Sequence, residues 1–157
     1  MLELRGVRHR YGSRVVLDLE RFGVTDGAIV AVVGHNGSGK STLLRLLALL
    51  EQPTEGDVVF DGVVVPRRPS PAWRRRVTLV EQRPLLLRGT VRENLGFGLR
   101  ARGLGRTVVA RTVQETAERM GLWALLDRPR DELSEGEVQR VAVGRALAVR
   151  PDVLLLD

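Results

Sequence analysis

One glycine-rich stretch carries residue types and a spacing that suit the binding of a phosphate chain. It reads Gly34-His35-Asn36-Gly37-Ser38-Gly39-Lys40-Ser41, which matches G-x-x-x-x-G-K-[ST] at every fixed position. Glycines let successive backbone N–H groups point inward at an anion, and the start of a following helix adds positive charge. Lys40 would place a mobile charge on the β- and γ-phosphates, and the Ser41 hydroxyl would bind Mg²⁺. We therefore expect a nucleotide, ATP in the first place, and Mg²⁺ at residues 34–42, with Thr42 as the last contacting residue. Such a loop alone leaves kinases, GTPases, helicases and many other classes open.

The segments around this stretch have the pattern that such a loop requires. Ala28–Val33 is a continuous apolar run, which is typical of a strand buried on both faces of a parallel sheet. Lys40–Leu50 has the pattern of a buried helix with leucines on most faces, and Pro53 and Gly56 should end that segment. A glycine-rich turn that contains Lys-Ser by chance is the alternative. The strand before the loop and the helix after it favour nucleotide binding.

The other strands are short, and most of the helices lie in the second half of the chain. Thr90–Glu93 and Ser134–Glu137 have the spacing of a capping box, in which a hydroxyl and a carboxylate satisfy free amides at a helix start. An apolar stripe predicts a helix near Thr107–Met120 that Gly121 ends, and the second capping box precedes a helix to about Val149. Runs of strand type occur at Leu2–Val7, Val15–Leu19, Asp57–Val65, Val77–Val80 and Val153–Leu156.

The composition is that of one globular domain with a positive net charge. The 157 residues include no cysteine, which excludes disulfides and thiolate metal sites and fits the cytosol. No apolar run approaches the ~20 residues that a membrane helix needs. The net charge is +6, with basic clusters at Arg67-Arg68 and Arg74–Arg76. Because only Trp73 is interleaved with these arginines, a solvated face is favoured over a contact with nucleic acid or a membrane surface.

Four further features occur in the order found in one known family. Leu133–Arg140 resembles the L-S-G-G-Q signature of ATP-binding cassette (ABC) proteins, and Val153–Asp157 resembles their Walker B strand. Gln82 fits the Q-loop of that family, and Tyr11 fits the aromatic residue that precedes the phosphate loop. The chain therefore resembles the ATPase subunit of an ABC transporter of the bacterial importer type, from its N-terminal part to Walker B.

The resemblance implies an α/β fold with a P-loop NTPase core, in which helices flank a mostly parallel sheet. An N-terminal antiparallel β subdomain and a helical subdomain would accompany the core, whose C-terminal part would be missing. We expect one domain over 1–157, with the β subdomain at 1–27 and 56–66 and the Walker A core at 28–55. The helical subdomain would cover 88–130, and the signature helix and Walker B strand 131–157. In relatives a later strand lies between the Walker A and Walker B strands, so here Ala28–Val33 and Val153–Leu156 would face each other across a missing central strand, with apolar edges left unpaired.

The resemblance also implies roles for single residues. Tyr11 would stack on adenine, with an ordinary strand-end tyrosine as the alternative. Gln82 and Asp157 would hold Mg²⁺ together with Ser41. Lys40, Gln82 and Asp157 would be the catalytic residues. For Gln82 the alternative is a plain polar loop residue, whereas the apolar run before Asp157 favours the metal-binding role.

In the family, two cassettes form a head-to-tail dimer, so a second ABC ATPase subunit is an expected partner. Ser134 and Gly136 would contact ATP held by the phosphate loop of that second subunit, because a capped helix start offers free amides to an anion. Glu135 stands where the signature has glycine, and it would either point to solvent or weaken dimer closure. Glu137 in place of glutamine is explained by the capping box.

The family places its catalytic glutamate directly after the Walker B aspartate, and this sequence ends at Asp157. The D-loop and the switch histidine also come later in the family, and neither His9 nor His35 is in the position of that histidine. ATP hydrolysis of the ABC type is the activity that the resemblance implies. Hydrolysis by this chain alone is expected to be inefficient.

Three classes of function remain open. The first is the ATPase subunit of a transporter, bound to transmembrane permease subunits at the cytoplasmic face of the membrane and coupling ATP hydrolysis to transport of a small solute. Arg88–Leu95 resembles importers of inorganic anions such as tungstate. The second is a cassette acting on nucleic acid or ribosomes, which the short segment between Gln82 and Leu133 disfavours because such members carry long coiled coils there or occur in tandem. The third is a non-hydrolytic nucleotide-binding fragment.

Overall fold

The computed structural model describes all residues 1–157, and the chain divides into two compact units. The first unit comprises Met1–Leu79 and Leu155–Asp157, and the second comprises Val80–Leu154. The elements are, in chain order, β1 (Leu2–Tyr11), β2 (Arg14–Val24), α1 (Lys40–Leu47), β3 (Glu55–Phe60), β4 (Val63–Val64), α2 (Pro71–Arg74), β5 (Val77–Val80), α3 (Val91–Ala101), α4 (Arg106–Arg119), α5 (Glu135–Ala148) and β6 (Val153–Leu156). Two short 3₁₀ turns, Trp123–Leu125 and Arg130–Glu132, precede α5.

An antiparallel sheet in the order β2-β1-β3-β4 makes up much of the first unit. Strands β1 and β2 form a hairpin and run further than the sequence predicts, to Tyr11 and Val24. The hairpin turns at Gly12, whose φ of 61° is in the left-handed region that a tight turn needs. Alternation along β1 puts Leu2 and Leu4 on the buried face of the sheet. This sheet agrees with the antiparallel β subdomain that the sequence predicts.

The helix after the glycine-rich stretch starts at Lys40, as predicted, but is shorter than expected. It ends at Leu47 rather than at Leu50. The chain leaves the helix because Leu49 takes a positive φ of 59°, and the N–H groups of Leu50 and Glu51 then donate to the carbonyl oxygen of Arg45.

The prediction that Ala28–Val33 forms a buried strand is wrong. No residue of this run belongs to a strand, and Ile29 and Val33 are 101% and 88% exposed. The physical reason is that a strand exists only where a neighbouring strand accepts its backbone hydrogen bonds, and no strand pairs with this run. An unpaired edge along this run agrees with the sequence-based expectation.

The predicted strands before Gln82 and before Asp157 are both present. They are β5 and β6, and they form a two-stranded sheet with each other. The structure thus combines an antiparallel sheet, a parallel sheet and helices, which agrees with the α/β class that the sequence predicts.

The second unit is built on α3, α4 and α5. Its apolar core includes Val91 and Leu95 of α3, the stripe of α4, and Val141 of α5. The stripe consists of Val109, Val113 and Ala117, as the helical spacing predicts. Glycine at position 144 lets α3 and α5 approach closely, because a Cβ atom there would lie 3.0 Å from Leu95 Cδ2. No helix of the structure is both long and apolar enough to cross a membrane.

Both predicted capping boxes are confirmed. At α3, the Thr90 hydroxyl accepts from the Glu93 N–H at 3.2 Å, and the Glu93 carboxylate accepts from the Thr90 N–H at 2.8 Å. At α5, Ser134 and Glu137 make the same reciprocal pair at 3.4 and 2.8 Å. Two helix starts are thus satisfied by side chains only three residues apart, which explains why the sequence alone could locate them.

Candidate nucleotide site

The glycine-rich stretch forms an exposed loop that leads directly into α1. The Lys40 ammonium group donates to the carbonyl oxygens of Gly34 and His35, at 2.8 and 2.9 Å. A Ser38 N–H to His35 carbonyl bond of 3.2 Å closes the turn within the loop. The lysine charge is therefore held across the loop at the start of a helix, where an anion would also meet the positive end of the helix dipole.

Two glycines are required by the geometry of this loop. At Gly39, φ is 91°, and a Cβ atom would lie 2.9 Å from both Leu17 Cδ2 and the Val16 carbonyl oxygen. At Gly34, a Cβ atom would lie 2.7 Å from Ser38 Oγ. The first contact shows that the loop rests against β2, and the second that the loop folds tightly on itself. Side chains at either position would displace the backbone that is meant to surround a phosphate.

Two predicted Mg²⁺ ligands are brought together from positions 116 residues apart in sequence. The Ser41 hydroxyl donates to Asp157 Oδ1 at 3.1 Å, and both side chains are exposed. A hydroxyl and a carboxylate are hard oxygen donors, the type that Mg²⁺ prefers, so the pair fits that ion. No group of three or more His, Cys, Asp or Glu side chains is placed to hold a metal elsewhere in the chain. Thr42, next along the helix, is buried.

Tyr11 lies at the end of β1 and keeps about half of its surface exposed, at 47%. Its hydroxyl donates to Glu51 Oε2 at 2.5 Å, and its ring meets that of the buried His9 edge to face. Neither Glu51 nor His9 is singled out by the sequence as a neighbour of Tyr11. Only folding reveals the Glu51 contact, because Tyr11 and Glu51 are 40 residues apart in sequence, whereas His9 is near Tyr11 within β1.

The remaining predicted residues lie in the second unit. The Gln82 side chain is exposed, and its backbone carbonyl accepts from Gln139 Nε2 of α5 at 2.6 Å. The carbonyl of Leu85 likewise accepts from Arg145 of α5, at 2.9 Å. These two α5 residues hold the segment after Gln82 and are missed by sequence reasoning. The metal-binding and catalytic roles of Gln82 stay predictions.

The start of α5 carries the residues that resemble the family signature. Gly136 has open space around it, since a Cβ atom there would meet nothing within 4 Å. Glu135 is exposed, which both alternatives for it allow, so its effect on a dimer stays a prediction. Hydrogen bonds from the Ser134 backbone and hydroxyl hold the pKa of the Glu137 carboxyl below its usual value. The predicted contacts of Ser134 and Gly136 with a second subunit's ATP stay predictions.

A glycine-rich loop at a helix start, with an aspartate bonded to its serine, is the arrangement of a P-loop. The family model described as ABC transporter matches residues 17–157, and the chain belongs to that family. Among curated proteins it is similar to a probable anion import ATP-binding protein of Haloferax volcanii, with 42% identity over 99% of this chain. It is also similar to the tungstate uptake system ATP-binding protein of Peptoclostridium acidaminophilum, with 35% identity over 99% of this chain.

Solved structures agree with this assignment. The fold matches that of cbiO1 from Clostridium perfringens, described as part of the ABC transporter complex cbiONQ. The TM-score is 0.88 at 28% identity, over 99% of this chain. The chain spans 64% of that structure's length, 60% of the Haloferax relative and 71% of the Peptoclostridium relative.

Proposed function

We propose that this chain is the ATP-binding part of an ABC importer, which couples ATP binding and hydrolysis to the transport of a small solute through a separate permease. In this proposal residues 34–42 hold the phosphates, Ser41 and Asp157 hold Mg²⁺, and Gln82 adds a further metal ligand. Tyr11 stacks on the adenine. Ser134 and Gly136 contact ATP bound by a second ABC ATPase subunit in a head-to-tail dimer.

The observation that carries the proposal is the hydrogen bond between Ser41 and Asp157. Both side chains are exposed, so the fold does not require this hydrogen bond between the serine of the loop and the aspartate that follows a strand. A carboxylate beside a triphosphate would repel it unless a divalent cation lay between the two. Their proximity therefore supports a site for Mg²⁺ and nucleotide rather than for a bare anion.

The relatives carry the names of importers of several solutes, among them anions, tungstate and Fe³⁺. Two of them act in import of an anion or of tungstate, and a match of this kind is similarity rather than identity of substrate. The sequence-based resemblance of Arg88–Leu95 to tungstate importers points the same way. We propose an inorganic oxyanion as the first solute to test, with the protein acting at the inner face of the membrane beside its permease.

The first experiment measures ATP affinity with and without Mg²⁺ in the purified full-length protein. We expect Mg²⁺ to strengthen ATP binding, and Ser41→Ala or Asp157→Asn to weaken MgATP binding by about 10-fold or more, as loss of metal-site residues does. Lys40→Ala should abolish ATP binding. Asp152→Asn, which removes a carboxylate before the other end of β6, is the matched control and should leave the affinity unchanged. Equal ATP affinity in wild type, Ser41→Ala and Asp157→Asn would disprove the metal site.

The second experiment addresses the partner. The protein, expressed in its own cell with an affinity tag, should co-purify with membrane permease subunits, and ATP hydrolysis should depend on Mg²⁺. Association with ribosomes or DNA in place of a permease would instead support the nucleic-acid class of cassette ATPases.

A further inference from the structure

One carboxylate oxygen of Glu51 is hydrogen-bonded to one side chain of β1 and lies close to a second. Glu51 Oε2 accepts from the Tyr11 hydroxyl at 2.5 Å and lies 3.3 Å from His9 Nε2. The Glu51 side chain is only 25% exposed, and that of His9 only 8%. The Tyr11 and His9 rings are 5.0 Å apart between centroids and nearly perpendicular, at 89°. The orientation of the tyrosine ring is thus fixed at both its hydroxyl end and its side.

Both halves of this cluster are attached to the phosphate loop. On one side, His9 stands opposite Leu17 in the hairpin, and Leu17 is the side chain that Gly39 approaches so closely. On the other side, Glu51 lies just after α1, and its N–H donates to the Arg45 carbonyl of that helix at 3.3 Å. Glu51 therefore links Tyr11 to the helix that begins at the phosphate loop.

We propose that Glu51 is a positioning residue of the nucleotide site, which holds the Tyr11 ring in the orientation that receives the base. This inference rests on the proposed function, in which Tyr11 stacks on adenine. A hydrogen bond to a charged acceptor is about twice as strong as one between neutral groups, so the carboxylate restricts the ring before nucleotide arrives. Binding then costs less side-chain entropy, which raises affinity without any contact between Glu51 and the nucleotide.

The test compares the affinities for two anions, ATP and inorganic tripolyphosphate, in the full-length protein. Tripolyphosphate occupies the phosphate loop but has no base, so a defect in base positioning must spare it. We expect Glu51→Ala and Tyr11→Phe to weaken ATP binding by about 3- to 10-fold, the range that loss of one hydrogen bond implies. Their affinity for tripolyphosphate should stay unchanged. Glu51→Gln keeps a hydrogen-bond acceptor of the same size and should retain more of the ATP affinity.

Glu55→Ala is the matched control, because Glu55 is a nearby carboxylate whose ion pair is with Arg10 rather than Tyr11. It should leave the ratio of the two affinities unchanged. If Glu51→Ala leaves the ratio of ATP affinity to tripolyphosphate affinity unchanged, the positioning role is overturned. This holds when neither affinity changes and also when both fall equally, since an equal loss indicates general damage to the unit. A wild-type protein that binds neither anion would instead overturn the proposed function, and the positioning role with it.

Discussion

At the scale of single residues, a positive and a negative side chain lie at the phosphate loop. The Lys40 ammonium group lies over the loop, while the Asp157 carboxylate lies at its serine end. Lysine suits a phosphate whereas a carboxylate repels one, so in the proposed site a bound divalent cation would offset the charge of Asp157. This is the physical basis for expecting ATP affinity to depend on Mg²⁺.

The glycine that opens α1 gives a prediction at the same scale. Gly39→Ala should lower the free energy of unfolding by about 1–3 kcal/mol, because a Cβ atom would overlap Leu17 and the Val16 carbonyl. Gly37→Ala is the control: its φ of 80° is also positive, but a Cβ atom there would meet nothing within 4 Å. The control should cost only the backbone term, about 1 kcal/mol. Urea unfolding of both variants decides the point, and equal losses would show that contact with β2 is unimportant.

At the scale of elements, the capping box at the start of α5 contains a titratable group, the Glu137 carboxyl. The Glu137 carboxylate accepts from both the N–H and the hydroxyl of Ser134, at 2.8 Å each, and these bonds lower its pKa. A carboxyl group whose pKa is lower when folded stabilises the folded state above its ordinary pKa, near 4.5. That contribution is lost as the pH falls through the folded-state pKa. The start of α5 should therefore weaken in acid.

The corresponding prediction compares wild type with Glu137→Gln. Glutamine can still accept the backbone hydrogen bond but does not titrate, so the variant should be less stable at pH 7 and should lose less stability between pH 6 and an acid pH of about 3. Unfolding followed by circular dichroism at each pH measures this. Parallel pH curves for the two proteins would show that the capping box does not carry the titration.

Elements also differ in how much they depend on their surroundings. The apolar run Ala28–Val33 has the composition of a buried strand and yet lies exposed, whereas β5 and β6, with similar composition, pair with each other. A helix satisfies its own backbone groups, but a strand needs a neighbour to do so. Residue composition therefore indicates that a segment can form a strand. Whether the strand forms depends on a neighbouring strand that accepts its hydrogen bonds.

At the scale of the whole molecule, the proposed dimer places the start of α5 against ATP on a second subunit. Glu135 occupies the first turn of that helix and is exposed. Its negative charge is stabilised by the positive end of the helix dipole. The same charge would repel the phosphates of a nucleotide bound by the partner. The proposed ATP-dependent dimer should accordingly be weaker than one whose signature motif has glycine at this position.

This gives a prediction for the assembled protein. Glu135→Gly should strengthen ATP-dependent self-association, measured by sedimentation of the full-length protein with MgATP, and should leave ATP turnover equal or higher. Glu132→Ala removes a nearby exposed carboxylate outside the helix start and serves as the control, with no change expected. A clear fall in self-association or turnover for Glu135→Gly would show that the glutamate assists the dimer instead.

The sequence by itself determined the local features. The phosphate loop, both capping boxes and the stripe of α4 depend on residues within a few positions of each other, so their physics is contained in a short segment. The family followed from the order of such segments along the chain. These are the features for which the structure and the comparisons returned what the sequence predicts.

Only the tertiary structure decided which distant residues meet. It placed Glu51 on the Tyr11 hydroxyl and left Ala28–Val33 outside any strand, whereas the meeting of Ser41 and Asp157 was expected only through the resemblance to a family. The physical reason is the same in each case: the free energy of such a contact depends on groups far away in the chain, brought near by packing of the whole unit. No pattern in the segment itself records where those groups will lie.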